Sequence, residues 1–439
     1  MSFSLWDFFT HPLLRGPTFG TLFLCIASSL LGVILFFQKK PLLSETLSHA
    51  TWPGILLAAW LQALFFSSDE SSFFFLFGCG GLFAWLGLKS IGWMEKRGKV
   101  PADAALTFVL ASFFGVGTVV ASGLQHTFPK IYQEMQTLLF GQAAVMQDTH
   151  IFLYGGLALG AALFLFFSFR QVQLYLFDPQ FAVSSGFKIP FLEKILILFL
   201  LASLILGIRG VGVLLISGMS IAPAIAARQF TDRLHVLFLL AACFGALSGL
   251  VGNWLSVFGT IALSQNGERL SLPTGPMIIA VGGTIAILSL LFAPKRGWLF
   301  RLIRVASFRL KCIEENILKG IWKKGPLTLR EMRRAHQTPR ALLFFVLWRL
   351  KNGGWVETQK RSYCLTSDGM KKAIVIVRLH RLWELYLASQ LGLKSEEVHG
   401  SAEEMEHILT PDLEERLTHL LANPRTDPHN QRIPERPTL

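Results

Sequence analysis

The sequence has little charge for its length. Asp, Glu, Lys and Arg make up 16% of the 439 residues and hydrophobic residues 52%, whereas soluble globular proteins carry about a quarter charged residues. The shortage lies in residues 1–296, which hold 17 basic and 12 acidic side chains, whereas residues 297–439 hold 24 and 16. The composition predicts a membrane part followed by a basic, hydrophilic part, whose charge fits nucleic acid or an anionic membrane surface.

Cysteine is also scarce, and its spacing excludes two kinds of small domain. The five cysteines lie far apart and no CxxC pair occurs, so neither a disulfide framework nor a zinc ribbon is expected. The N-terminal stretch MSFSLWDFFTHPLLRGP lacks a basic region and a small-residue cleavage site. A cleaved signal peptide is therefore not expected.

Long apolar runs are abundant in the first part of the chain. A membrane-spanning helix needs about 20 mostly apolar residues, and this criterion predicts an all-α polytopic membrane domain over residues 1–296. An amphipathic stretch, residues 129–146, is expected at a surface rather than across the membrane. The sequence offers nine candidate spans, at 18–37, 51–67, 72–90, 104–124, 150–168, 191–208, 210–227, 235–261 and 275–293.

The distribution of basic residues between these spans predicts their orientation. Cytoplasmic connections are enriched in Lys and Arg. If the C-terminus is cytoplasmic, thirteen basic residues of the connections face inward and four face outward, namely Arg15, Lys130, Arg209 and Arg269. We therefore expect the N-terminus outside and the hydrophilic part in the cytoplasm.

The stretch SETLSHATWPG, residues 44–54, places two ionisable side chains at the start of the second span. Glu45 and His49 are one helical turn apart on one face. A carboxylate and an imidazole together suit a divalent transition metal, and ionisable groups in a membrane segment are costly and therefore suspected of function. The alternative is a polar pair at the level of the lipid headgroups.

Two further stretches of the membrane part stand out. The segment 210–230 is rich in Gly, Ala and Ser and contains Pro223, which suits either a pore-lining helix or close helix packing. The loop DPQFAVSSGFK, residues 178–188, is expected to form a short helix, with Asp178 as its N-cap and Pro179 in its first turn.

These three motifs, in this order and spacing, resemble the ABC-type zinc/manganese/iron permease family over about residues 15–296. The resemblance implies a homodimeric or heterodimeric permease, an extracytoplasmic metal-binding protein and a separate ABC ATPase. It maps Glu45 and His49 onto the transport path, although the family usually has Asp in place of Glu45. The chain has no GxxxxGK[ST] phosphate loop, so no ATPase activity is expected of it. The resemblance assigns ATPase docking to Asp178, Pro179, Phe181 and Gly186.

The hydrophilic part begins with a basic linker, GWLFRLIRVASFRLK, residues 297–311. Basic and apolar residues alternate along it. This pattern fits a helix that lies on the membrane surface, and it equally fits the basic inner flank of the last span.

Residues 312–376 predict three helices and a two-stranded hairpin, the plan of a winged helix-turn-helix domain whose third helix enters the DNA major groove. The third helix, residues 338–354, starts with Thr338 as N-cap and Pro339 at its first position. A small α+β interaction domain with a basic face is the alternative. The side chains expected to meet phosphates are Arg333, Arg334 and Arg340, with Lys360 and Arg361 in the hairpin.

Histidine and glutamate recur at helical spacing in residues 377–439. His380 and Glu384 are at i and i+4 of an amphipathic helix, residues 377–393, and His399 follows. Glu403, Glu406 and His407 then fall on one helix face. Carboxylates with imidazoles suit Mn(II), Fe(II) or Zn(II). Exposed polar helix faces are the alternative for any single pair.

The run from Val377 to Leu421, followed by TDPHNQRIP, resembles the metal-dependent repressors of the diphtheria toxin repressor family, and residues 312–376 resemble it more weakly. The resemblance implies dimerisation, operator DNA as partner and a domain of metal binding and dimerisation over 377–439. It assigns regulatory metal ligands to Glu403, Glu406 and His407, a companion site to His380, Glu384 and His399, and first-helix ligands to positions near Cys312 and Glu315. Fe(II) or Mn(II) is favoured, with Zn(II) possible.

The two resemblances together predict a metal permease fused to a repressor that controls its own transport operon. Because a tethered repressor has restricted access to DNA, proteolytic release near residues 297–312 is a further hypothesis. Two alternatives stay open. The tail could be a cytoplasmic sensor that closes the permease without binding DNA, or the membrane part could anchor a sensor without transporting anything.

Overall fold

The computed structural model describes residues 6–65, 73–141, 143–213, 215–264, 272–336, 338–359, 361–393, 405, 407 and 410–436. The chain forms two compact units, Met1–Phe300 and Arg301–Leu439.

Helices are the only regular secondary structure among the described residues of the first unit. One of them is a 3₁₀ helix, Ala143–Val145. The α-helices are α1 (Asp7–Thr10), α2 (Pro12–Phe37), α3 (Leu42–Phe65), α4 (Phe73–Lys96), α5 (Ala102–Thr127), α6 (Pro129–Phe140), α7 (Asp148–Phe167), α8 (Phe169–Phe177), α9 (Pro179–Ser184), α10 (Ile189–Gly210), α11 (Ile216–Phe230), α12 (Leu234–Ser264) and α13 (Thr274–Phe292).

Among the described residues, seven helices are long and apolar enough to cross a membrane: α2, α4, α5, α7, α10, α12 and α13. The expected polytopic α-helical domain is thereby confirmed. The other two expected spans fall in α3 and α11. The N-terminal half of α3 is polar, and this lowers the mean hydropathy of the helix. The 15 residues of α11 extend over about 22 Å at 1.5 Å per residue, less than the hydrocarbon core of about 30 Å.

The helical conformation is interrupted between α10 and α11. Gly212 has a φ of +99°, a conformation that favours glycine, and the amide of Val213 donates to the carbonyl of Leu138 at 3.1 Å. The run predicted as one span at 210–227 is therefore the end of α10, a turn and a short helix.

Helix α2 lies at the centre of the first unit and packs against α7, α10, α11 and α12. Its contact with α11 is close, because a Cβ on Gly32 would lie 1.8 Å from the carbonyl oxygen of Ser220. The hydroxyls of Ser28 and Ser220 share a hydrogen bond of 2.5 Å across the same contact. The small residues of segment 210–230 thus serve helix packing here. Helix α3 packs against α4 and α5.

The second unit contains five helices and a small sheet among its described residues. Its strands form an antiparallel sheet of order β1-β3-β2. The elements are α14 (Trp298–Lys324), β1 (Leu327–Thr328), α15 (Leu329–His336), α16 (Arg340–Asn352), β2 (Val356–Gln359), β3 (Ser362–Leu365), α17 (Ser367–Gln390) and α18 (Pro411–Leu420).

Helices α14, α15 and α16 and the hairpin β2–β3 have the predicted order of a winged helix-turn-helix domain. They enclose an apolar core that includes Ile317, Met332 and Leu347. The sequence did not predict β1, since two residues are too few for a strand pattern. Two expected domain boundaries lie inside helices, because α14 runs through position 311 and α17 through position 376. Helix α16 starts after Pro339, one residue later than predicted.

Candidate functional site

The predicted pair in the membrane part lies on α3. His49 is 7% exposed, and its Nδ1 has no hydrogen-bond partner among the described residues. Its ring meets that of Phe114 edge to face, with 4.9 Å between centroids. Glu45, one turn earlier, is half-buried. Burying a polar atom without a partner costs about 1–3 kcal/mol. The arrangement suits a ligand position better than a polar pair among headgroups.

One chain supplies few ligands at this position. Among the described residues, the only group of three His, Cys, Asp or Glu side chains whose ligand atoms lie within 4.8 Å of one another is in the second unit. Glu45 and His49 therefore offer two ligands, whereas transition metals in proteins take about four to six.

The predicted docking segment forms α9. Asp178 caps the helix by accepting a hydrogen bond from the amide of Phe181 at 2.9 Å, and Pro179 occupies its first position. Phe181 is 56% exposed. Gly186 has a φ of +82° in the turn that ends the segment. The predicted N-cap and helix are confirmed, and an aromatic ring is left on the surface.

In the second unit, the structure brings together two of the predicted regulatory ligands from distant parts of the sequence. Nδ1 of His407 lies 2.6 Å from Oε2 of Glu315 on α14, and both residues are buried. Nζ of Lys311 lies 3.7 Å from the other oxygen of Glu315 and donates to the carbonyl of His407 at 3.2 Å. Cys312 is half-buried one turn before Glu315.

Three other predicted ligands, His399, Glu403 and Glu406, lie outside the described residues. The predicted His380–Glu384 pair on α17 does form, with 3.1 Å between Nε2 and Oε1, and both residues are buried. Nδ1 of His380 lies 3.2 Å from Nζ of Lys319 on α14.

Sequence reasoning missed two residues at this second cluster. Ligand atoms of Glu384, Asp427 and His429 all lie within 4.8 Å of one another. Glu384 and Asp427 are buried and His429 is exposed. A cavity of about 200 Å³ opens beside them. Two carboxylates and an imidazole are ligands that Mn(II), Fe(II) and Zn(II) accept, so this donor set fits a metal.

The missed residues belong to the segment TDPHNQRIP, which folds onto α17. Oδ1 of Asp427 accepts hydrogen bonds from the amides of His429 and Gln431, at 2.9 and 2.7 Å. Arg381 of α17 bonds the carbonyl of Arg432 and the side chain of Gln431. The only sequence signal was an acid and a histidine two residues apart, about 45 residues from their partner on α17.

The basic residues predicted to meet DNA are at the surface of α15 and α16. Arg333, Arg334 and Arg340 line a cavity of about 910 Å³ together with Arg330. Arg361 is exposed in the hairpin turn, with a φ of +74°. Lys360 lies outside the described residues. The four arginines of α15 and α16 share this one cavity, as a phosphate-binding surface requires.

The apolar sequence of α16 separates into two faces. Leu343, Val346, Leu347 and Leu350 are buried in the core of the second unit. Three aromatic residues, Phe344, Phe345 and Trp348, remain 57%, 46% and 59% exposed. Apolar contact with thymine methyl groups is an established form of base readout, so the exposed face is compatible with the DNA major groove.

These features place the chain in a class of membrane transport proteins. The sequence profile of the ABC 3 transport family matches residues 10–293, and the chain belongs to that family. A second profile, the iron dependent repressor, metal binding and dimerisation domain, matches residues 366–435.

Individual relatives span both parts. A probable metal transport system membrane protein of Chlamydia trachomatis serovar D is 36% identical over 426 residues, covering 94% of each chain. The manganese transport system membrane protein MntC of Bacillus subtilis is 29% identical over 396 residues, 89% of this chain and 87% of that one.

The zinc transport system membrane protein TroC of Treponema pallidum is 31% identical over 69% of this chain and 96% of its own length. A solved structure, PsaBC from Streptococcus pneumoniae in complex with Fab, superposes with a TM-score of 0.55 over 67% of this chain and 97% of that chain. At 22% identity that likeness concerns the fold alone.

Proposed function

We propose that the chain is the permease subunit of an ABC importer for a divalent transition metal, and that its hydrophilic tail is a metal-dependent repressor of the transport operon. The observation that carries the proposal is that both parts bury an imidazole. In the membrane part, His49 is buried one helical turn from the half-buried Glu45, and in the tail His407 is buried against the carboxylate of Glu315. Membership of the ABC 3 transport family and the repressor profile support the assignment of the two parts.

In the membrane part, Glu45 and His49 bind the transported ion. Two ligands from one chain are too few, so a second permease subunit supplies the rest across a two-fold axis. A separate ABC ATPase docks on the α9 segment, where Phe181 is exposed, and an extracytoplasmic metal-binding protein delivers the ion. The chain resides in the bacterial cytoplasmic membrane with its N-terminus outside and its tail in the cytoplasm, as the distribution of basic residues predicts.

In the tail, Glu315 and His407 belong to the regulatory site, with Glu403, Glu406 and Cys312 as further ligands. Glu384, Asp427 and His429 form the companion site, beside His380. A bound divalent cation supplies positive charge that offsets the clustered carboxylates. Glu315 and His407 hold α14 against the segment that follows α17. The arginines of α15 and α16 bind DNA phosphates. The repressor acts as a dimer on paired half-sites.

Mn(II) or Fe(II) is the favoured ion, with Zn(II) possible. Carboxylates and imidazoles suit all three ions, and a thiolate at Cys312 would favour the softer Fe(II) over Mn(II). The manganese and zinc transport proteins among the relatives agree with this range.

Uptake and DNA binding test the two parts separately. In proteoliposomes that contain the chain, its ATPase and its metal-binding protein, we expect ATP-dependent uptake of ⁵⁴Mn(II). Purified chain should shift DNA from upstream of its own operon only when Mn(II) or Fe(II) is added. DNA binding without uptake would favour a membrane-anchored sensor, and uptake without DNA binding would favour a gating tail.

An antibody against the tail that detects only full-length chain in cells would exclude proteolytic release near residues 297–312.

Removing two arginines of the α15–α16 face should weaken DNA binding for all sequences alike. For Arg333→Ala combined with Arg334→Ala, we expect the slope of log K against log salt to fall in magnitude by about 0.9 per lost phosphate contact. Fluorescence anisotropy with operator and with unrelated DNA measures it. Arg416→Ala, on the exposed surface of α18, is the matched control. An unchanged salt slope in the double variant would mean that this face does not bind DNA.

A further inference from the structure

The first turns of α14 expose a continuous apolar surface. Trp298, Ile303 and Val305 are 60%, 53% and 44% exposed, and Leu299 and Leu302 are exposed beside them. At 3.6 residues per turn, these five side chains fall within one half of the helix surface. Isolated exposed apolar residues are ordinary, whereas a row of large ones marks an interaction surface.

Two arginines of the same turns lie on the opposite half. Arg301 and Arg304 are exposed there, together with Phe300 and Phe308. Ser307 is exposed on this half as well. A helix whose apolar residues predominate on one half, with arginines on the other, is the pattern of a helix that lies in the interface of an anionic bilayer.

The chain itself keeps this helix near a membrane. Helix α13, one of the seven candidate spans, ends at Phe292, and α14 begins at Trp298. Six steps along the chain cover at most about 22 Å. Lys295 and Arg296 lie between the two helices and mark the inner face of the membrane by the positive-inside rule.

We propose that residues 298–309 bind the cytoplasmic surface of the bilayer that α13 spans, with the apolar half inserted among the acyl chains and the arginines on anionic headgroups. The segment carries net positive charge from Arg301, Arg304 and Arg309, which complements phosphatidylglycerol-type lipids. Arg309 falls among the apolar side chains, and its long stem lets the guanidinium reach the headgroups. A second copy of the chain offers the same basic residues and therefore no charge complementarity. The proposal is independent of metal transport and of DNA binding.

Fluorescence in nanodiscs tests the proposal on the full chain. A dansyl-bearing amino acid is placed at Leu302, near the middle of the apolar half, or at Ser307, its control about 140° away around the helix. In nanodiscs that contain 30% phosphatidylglycerol, we expect bromine-labelled lipid to quench the probe at 302 at least twofold more than the probe at 307. Replacing the anionic lipid with phosphatidylcholine should reduce that difference.

Two results would overturn the proposal. One is equal, weak quenching by lipid at 302 and 307. The other is protection of position 302 that depends on the number of chains per nanodisc and not on lipid bromination, which would assign the surface to a second copy.

A different observation carries a second inference, which rests on the proposed repressor function. Glu314 lies on α14 directly before Glu315, but its side chain faces α16. It is 5% exposed, and its Oε1 lies 3.0 Å from Nε of Arg349 on α16. The neighbouring residue Glu315 faces His407.

Adjacent carboxylates on α14 therefore have different partners, one at the regulatory site and one on the DNA-binding helix. Charges one residue apart in a poorly solvated interior interact strongly. We propose that Glu314 is a positioning residue, which couples metal occupation of the regulatory site to the orientation of α16 through Arg349.

The coupling predicts separate effects on metal and on DNA. For Glu314→Gln in full-length chain held in nanodiscs, we expect the Mn(II) affinity of the tail to change less than twofold. We expect the affinity for operator DNA at saturating Mn(II) to fall about tenfold. The double variant Glu314→Gln with Arg349→Gln removes both charges at nearly constant volume. It should show the same loss of operator affinity, with a thermal unfolding temperature closer to that of the native chain.

Each alternative result has a distinct meaning. If the native chain shows no metal-dependent DNA binding, both the repressor function and the coupling fail. If the native chain responds to Mn(II) and Glu314→Gln responds equally, only the coupling fails. If Glu314→Gln loses Mn(II) binding together with DNA binding, Glu314 has a structural role and the coupling is again overturned.

Discussion

Replacing His49 with alanine is expected to abolish ATP-driven metal uptake. The side chain is buried, its Nδ1 has no hydrogen-bond partner among the described residues, and it lies one turn from Glu45. Loss of residues that merely orient a metal ligand costs 10–100-fold in affinity or activity, so loss of a ligand should cost at least about 100-fold. Uptake of ⁵⁴Mn(II) by proteoliposomes, assembled with the ATPase and the metal-binding protein, measures the effect.

The matched control for this experiment is His126→Ala, an exposed histidine near the end of α5. It should transport at the native rate. Glu45→Gln keeps the volume of the side chain and removes its charge, and it should lose uptake as well. Native uptake rates in both His49→Ala and Glu45→Gln would show that the transported ion takes another route.

Replacing His407 with alanine is expected to remove the metal dependence of DNA binding by the tail. His407 and Glu315 come from positions 92 residues apart and meet at 2.6 Å in a buried contact. Loss of the imidazole should weaken Mn(II) binding by at least about 10–100-fold, by comparison with the cost of removing residues that only support a ligand. Operator binding at fixed Mn(II) should fall in proportion. Anisotropy titrations of DNA at several Mn(II) concentrations check both effects.

His419→Ala is the control within the tail, because His419 is exposed on α18 and belongs to none of the clusters. It should leave the Mn(II) response unchanged. If His407→Ala retained the native dependence of DNA binding on Mn(II), the regulatory site would have to be placed elsewhere in the chain.

Local patterns in the sequence were sufficient for features that depend on neighbouring residues. Apolar runs predicted the spanning helices because a bilayer admits little else. Helical spacing predicted the His380–Glu384 pair, since side chains four residues apart on a helix are neighbours. The Asp-Pro pair at 178–179 predicted α9 and its cap for the same local reason.

Features that depend on distant contacts could not be obtained in this way. Asp427 and His429 reach Glu384 in a segment that Arg381 bonds to α17. No local periodicity encodes that contact. The contact between Glu314 and Arg349 likewise joins two helices, and nothing at position 314 in the sequence indicates which helix its side chain faces.

Domain boundaries were predicted from changes in composition, and the helices do not follow those changes. Residues 298–311 carry only basic charges, whereas acidic and basic residues are mixed in the stretch that follows, yet both lie in one helix, α14. The hydrogen-bonding pattern of a helix continues through a change of solvent exposure as long as no residue breaks it, and no proline or glycine lies between Trp298 and Lys319.

We infer that the tail of this metal permease binds the class of ion that the membrane part imports. Equilibrium binding of Mn(II) to the full-length chain in nanodiscs, compared with the His407→Ala variant, tests this inference most directly. We expect micromolar binding to the native chain and the loss of at least one site in the variant. Identical binding curves for the two proteins, or no binding to either, would contradict it.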